Sequence, residues 1–158
     1  MMSDYFKNIN EINFEGESSN NPLSFKFYDE NKMVLGKTMK EHLRFATCYW
    51  HTFTWPGLDP FGGATFDRPW MSSGDPLKMA EMKLDEAFDF FKKIKTPFFC
   101  FHDRDISPKG STYKETQSNF FHIIDMMESK MQDSGTKLLW GTANAFSHKR
   151  YMSGASTN

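Results

Sequence analysis

The chain has 158 residues, with 19 basic and 20 acidic side chains and a net charge of -1; this is the length of one domain, with no bulk charge to draw it to nucleic acid. Its two cysteines, Cys48 and Cys100, sit in apolar runs without CxxC spacing, which argues against a disulfide framework and fits a reducing, cytoplasmic compartment. The N-terminus has no basic segment followed by an apolar one, and no apolar run reaches membrane-spanning length, so neither export nor membrane insertion is expected.

Residues 1–38 read as an irregular leader, broken by Ser18-Ser-Asn-Asn-Pro22. Residues 39–158 read as the body. Met39 to Arg44 predicts a short helix and Phe45 to Trp50 a first strand, followed by a long Gly, Pro and aromatic loop from His51 to Trp70. A loop of that length inside a domain is usually functional or a contact surface. Asp75-Pro76 is a cap followed by a first-turn proline, and Leu77, Ala80, Leu84, Ala87, Phe88, Phe91 and Ile94 mark one helical face that ends near Lys95.

Pro97 to Asp105 is the most informative stretch. Phe98 to Asp103 is bulky and apolar until its last residues, which predicts a parallel strand buried on both faces. Asp105 to Gly110 reads as a turn. Thr112 with Glu115 is a capping-box pattern ahead of a helix whose face is Phe120, Ile124, Met127 and Met131, closed by Ser134-Gly135. A third strand spans Lys137 to Ala143, and Asn144 to Tyr151 is its C-terminal loop.

The order β, loop, α, β, turn, α, β is the repeating unit of a parallel α/β fold. Right-handed crossovers then bring the three strand ends to one side. The residues gathered there are Trp50, His51, His102, Asp103, Asp105, Trp140, Thr142, Asn144 and Phe146. Three parallel strands with two helices leave an apolar edge, so the chain reads as an incomplete TIM (β/α)8 barrel.

Within that rim His102 is the sharpest candidate, either as a base near neutral pH or as a histidine capping loop backbone groups. Asp105, three residues on, is placed to fix its tautomer. Asp103 reads as a turn or cap residue, and His51 as a packed loop histidine. His42, His122 and His148 read as ordinary surface or helix residues. Taken singly, the rings at Trp50, Trp55, Phe61, Trp140 and Phe146 fit a core; their common place at strand ends favours a pocket for a small polar substrate with apolar faces, such as a sugar. Gly62-Gly63 lacks the spacing of a phosphate loop, and Asp103 with Asp105 is too little for a metal site.

Seven segments carry a resemblance: Val34-Leu-Gly-Lys37, His42-Leu-Arg-Phe-Ala46, Cys48-Tyr-Trp-His-Thr-Phe53, Asp67-Arg-Pro-Trp70, Phe99-Cys-Phe-His-Asp103, Lys137-Leu-Leu-Trp-Gly-Thr-Ala-Asn144 and Arg150-Tyr-Met152. In this order they resemble the N-terminal part of a xylose isomerase of the longer-leader class. The resemblance implies a homotetrameric (β/α)8 barrel that interconverts D-xylose and D-xylulose, and glucose and fructose. It also implies two divalent cations, Mg2+ with Mn2+ or Co2+ as alternatives, and a metal-assisted hydride shift between C2 and C1. By the same resemblance His102 assists opening of the sugar ring and Asp105 orients it. Trp50, Trp140, Thr142 and Phe146 line the sugar pocket, and Phe61 reaches into a neighbouring subunit's site. The family's metal ligands and its catalytic lysine fall on later strands than these, so the expectation is an N-terminal fragment without isomerase activity and poorly folded in isolation. Two alternatives are a short non-catalytic product acting in assembly or sugar binding, and another sugar-isomerase-like barrel.

Overall fold

In the computed structural model, which describes residues 5–146, 148–154 and 156, the leader is not wholly irregular. β1 (Met33–Val34) and β2 (Lys37–Thr38) form a small antiparallel hairpin. Its turn places Leu35 at φ 49 and Gly36 at φ 81, the pair of positive angles that matches the twist of a tight hairpin. α1 (Met39–His42) follows at once, started by a complete capping box between Thr38 and Glu41.

The first sheet strand, β3 (Ala46–Cys48), is shorter than the expected Phe45 to Trp50. From Trp50 to Thr54 the backbone winds into a single π-helical turn, closed by Trp55 N–H donating to Trp50 O at 2.8 Å. The far end of the long loop is a 3-10 turn, Pro69–Met71. Trp70 is buried and donates Nε1–H to Phe53 O at 2.9 Å, so the loop's two ends are fastened together beneath its exposed middle.

α2 (Pro76–Ile94) starts where Asp75 Oδ1 accepts from Leu77 N at 2.9 Å and Lys78 N at 3.3 Å, and stops at Lys95 in the left-handed conformation, φ 57. Ala80, Leu84, Ala87, Phe88 and Phe91 are buried as the spacing predicts, with Leu77 and Ile94 half-buried at the two ends. β4 (Phe98–His102) comes next. Phe99 meets Phe88 and Phe91 of α2 at ring-centroid distances of 5.5 and 5.3 Å. A fully buried phenylalanine contributes about 1.5–3 kcal/mol, so this ring cluster carries much of the core energy. Where a turn is expected at Asp105 to Gly110, the chain first makes a helical turn, α3 (Asp103–Ile106).

α4 (Tyr113–Ser134) is capped by Thr112 and ended by Gly135 at φ 73. The capping box is completed one residue early: the Glu115 carboxylate accepts from Ser111 N at 2.7 Å and not from Thr112 N. Ile123 and Met127 are its buried residues, with Phe120, Ile124 and Met131 packed partly against the core.

β5 (Lys137–Thr142) completes a three-stranded parallel sheet in the order β3-β4-β5. Side chains alternate across a strand, so Phe99 and Phe101 face the helical layer while Cys100 and His102 share the opposite face. Cys48 and Cys100 are register partners across β3 and β4; both are free thiols, and burial pushes the Cys100 thiol up to about 11. The leader packs against the end of α2, where Ile12 N–H donates to Lys93 O at 2.7 Å and Lys95 Nζ to Asn13 Oδ1 at 2.6 Å. No helix among the described residues is long and apolar enough to cross a membrane.

Candidate functional site

β4 ends on His102, and α3 begins on the next residue. The third residue of a helix can turn its side chain back to the N-cap, and Asp105 does so. Its Oδ2 accepts from His102 N at 2.8 Å and lies 3.0 Å from His102 Nδ1. Facing a carboxylate, Nδ1 carries the ring proton, which leaves Nε2 with its lone pair free to accept one. Asp105 is fully buried, whereas the His102 side chain keeps 22% of its surface exposed. A rigid, hidden carboxylate therefore holds a ring whose other edge remains reachable.

The sheet builds the wall around that ring. Trp140 on β5 and Phe146 in the loop beyond it meet the imidazole edge-on, at centroid distances of 5.5 and 5.4 Å. Thr142 is the register partner of His102 on β5 and is exposed. Asp103 takes the structural part expected of it: Oδ1 accepts from Arg104 N and from Asn144 N, both at 2.8 Å. The second bond ties the end of β4 to the loop that carries Phe146.

The structure separates the other candidates. Trp50 is the first residue of the π turn, is 36% exposed and is not among the rings touching His102. Phe61 is 98% exposed on a turn where its N–H donates to Asp59 Oδ1 at 2.7 Å. His51 is exposed and not packed as expected, with its ring set edge-on against Trp55 at 6.4 Å. His122 joins α4 to α2 through Glu81, Nε2 to Oε1 at 2.7 Å, a hydrogen-bond partner that its spacing gave no reason to expect. His42 donates Nε2–H to Val34 O at 2.8 Å, and His148 Nδ1 accepts from Arg150 N at 3.2 Å.

Behind Asp105 lies a set of groups that sequence reasoning passed over. Lys83 Nζ donates to Thr54 Oγ1 at 3.3 Å, and the Thr54 hydroxyl donates to Asp105 O at 3.2 Å. The same ammonium stands 5.7 Å from the ring centre of Tyr49, which is fully buried. Burial pushes the Lys83 ammonium down to about 8 while the Asp105 charge opposes that shift. Burial, reinforced by Asp105 and Asp85, holds the Tyr49 phenol well above its ordinary range. The available signal was a lysine set among Ala80, Leu84 and Ala87 on the inward face of an amphipathic helix.

Among the described residues no three His, Cys, Asp or Glu side chains come together to hold a metal ion. A positioned imidazole beside aromatic rings is suited to moving a proton on a small hydroxylated molecule.

No protein-family model matches the chain. Among curated proteins it is similar to the xylose isomerase of Photobacterium profundum, 60% identical over 157 residues, covering 99% of this chain and 36% of that protein. The xylose isomerase of Paraburkholderia xenovorans is 56% identical over 154 residues, covering 98% of the chain and 35% of the relative. That of Serratia proteamaculans is 54% identical over 157 residues, covering 99% of the chain and 36% of the relative. The chain thus spans only 35–36% of the length of the curated relatives it matches.

Proposed function

We propose that this chain, homologous to the xylose isomerases along 98–99% of its residues, forms the first part of an aldose–ketose isomerase that interconverts D-xylose and D-xylulose and accepts glucose and fructose. The observation that carries the proposal is His102 held through Nδ1 by buried Asp105 beneath Trp140 and Phe146. Nε2 takes the proton of the anomeric hydroxyl as the C1–O5 bond breaks, C1 becomes the aldehyde carbon, and the same nitrogen returns the proton to O5. Trp140, Phe146 and Thr142, with Trp50 at the rim, form the sugar wall. Phe61, almost wholly exposed, reaches a neighbouring subunit's site in a homotetramer. Residues 1–38 act as a leader and 39–158 open a TIM-barrel catalytic domain in a cytoplasmic enzyme.

The two divalent cations of the proposed isomerisation, Mg2+ with Mn2+ or Co2+ as alternatives, do not fit the residues present, because the described residues bring no three metal-ligating side chains together. Their ligands are assigned to sequence that this chain does not include, and ring opening is the step that falls to His102 and Asp105. A His102→Gln variant of the intact protein is expected to lose about 10²- to 10⁴-fold in kcat/KM on cyclic xylose; unchanged turnover refutes the assignment. The exposed loop carrying Leu58, Phe61 and Phe66 supports a second reading, a non-catalytic partner in assembly or sugar binding. Xylose binding by the purified 158-residue chain without turnover, measured by calorimetry, separates that reading from the first.

A further inference from the structure

Asp105 is fully buried, yet its own turn satisfies only half of its carboxylate. Oδ2 takes two donors from His102, and Oδ1 has no hydrogen-bond partner among the described residues. A buried carboxylate stays ionised only where a cation or several donors offset its desolvation. One cation on α2 is connected to Asp105 through Thr54. Lys83 forms no ion pair among the described residues, and its ammonium is fixed by Thr54, whose hydroxyl is bonded to the Asp105 backbone carbonyl. Half-buried, it stands over the ring of the fully buried Tyr49, where an uncompensated charge is costly.

We propose that Lys83 is a positioning residue for ring opening: fastened through Thr54, its ammonium is the counter-charge that keeps Asp105 ionised, so that His102 keeps its proton on Nδ1 and its lone pair on Nε2. The charge of Asp105 favours the protonated form of Lys83, which agrees with this arrangement. The other charges nearby are already engaged. Asp85, two residues along α2, is held by Lys130 of α4 at 2.5 Å, and Arg104 lies against Asp103 at 3.4 Å. The functional half of the proposal rests on the ring-opening reading of His102; the electrostatic half does not.

The test is residue-resolved carbethoxylation of the histidines with diethyl pyrocarbonate, in the intact protein, from about pH 5 to 8. Only neutral imidazole reacts, so the midpoint at His102 reports its own titration. Without its counter-charge Asp105 takes up a proton and the imidazolium loses its anionic partner, so Lys83→Gln is expected to lower that midpoint by roughly half a pH unit or more. Lys83→Arg keeps the charge and keeps the wild-type midpoint. Thr54→Val loses the hydroxyl that fixes the ammonium and moves the midpoint the same way, which serves where Lys83→Gln is insoluble. In turnover of cyclic xylose, Lys83→Gln is expected to lower kcat more than it alters KM. A His102 midpoint unmoved in a soluble Lys83→Gln or Thr54→Val protein overturns the proposal. A shifted midpoint beside a fully active His102→Gln variant overturns the ring-opening reading and leaves Lys83 an electrostatic role alone.

Discussion

The two contacts that Asp105 Oδ2 makes with His102, at 2.8 and 3.0 Å, set the ring's position and its tautomer together. Asp105→Asn preserves the shape but offers a neutral amide in place of the anion. It is expected to lower kcat on cyclic xylose by about 10²-fold with little effect on KM, as measured by steady-state kinetics. Lys83 makes a second prediction, about stability. Its folded value of about 8 lies below the ordinary value of 10.5, so between these limits the unfolded chain binds more protons than the folded one. Stability therefore rises with pH across that window. The burial cost that Lys83 imposes, roughly 3 kcal/mol, is fully present below pH ~8 and is gone by pH ~10.5. The melting temperature of wild type relative to Lys83→Met should climb over that range; a flat difference refutes the burial of charge. His102 and Asp105 were legible because an imidazole and a carboxylate end an apolar run. Lys83 was not, since a lysine in an amphipathic helix ordinarily faces water.

The long helices α2 and α4 were readable to within a residue or two because period and caps agree: Asp75 and Thr112 start them, and Lys95 and Gly135 end them in left-handed conformations. Asp75→Ala is expected to cost about 1 kcal/mol by removing the acceptor for two first-turn N–H groups, as followed by denaturant melts. Phe99→Ala, which empties a site between two α2 rings, should cost about 3–5 kcal/mol in the same measurement. The elements that sequence reading missed are short. α3 has four residues and the π turn five, too few to show a period. In the π turn, moreover, the apolar run of β3 continues into Tyr49-Trp50 without any break in composition. The hairpin in the leader escaped for the same reason, being two strands of two residues each.

β5 lies at the edge of the sheet and is exposed along its whole length, with Leu139 at 55% and Trp140 at 41%. Unpaired backbone groups beside exposed apolar side chains template association. The 158-residue chain by itself is expected to self-associate and to show no xylose turnover with Mg2+; a stable monomer by light scattering, or measurable turnover, contradicts this. The α/β class, the parallel pairing of the strands and the strand-end position of His102 followed from the sequence alone, because periodicity and caps are local and parallel strands need crossovers of this length. What only the tertiary structure decided is which distant residues meet: Asp103 bonded to Asn144, Trp140 and Phe146 closing on His102, and Lys83 brought through Thr54 behind Asp105, with Trp50 wound into a π turn. Those contacts depend on how the sheet and helices pack, and residues that lie 29 to 51 positions apart along the chain leave no mark in any local pattern.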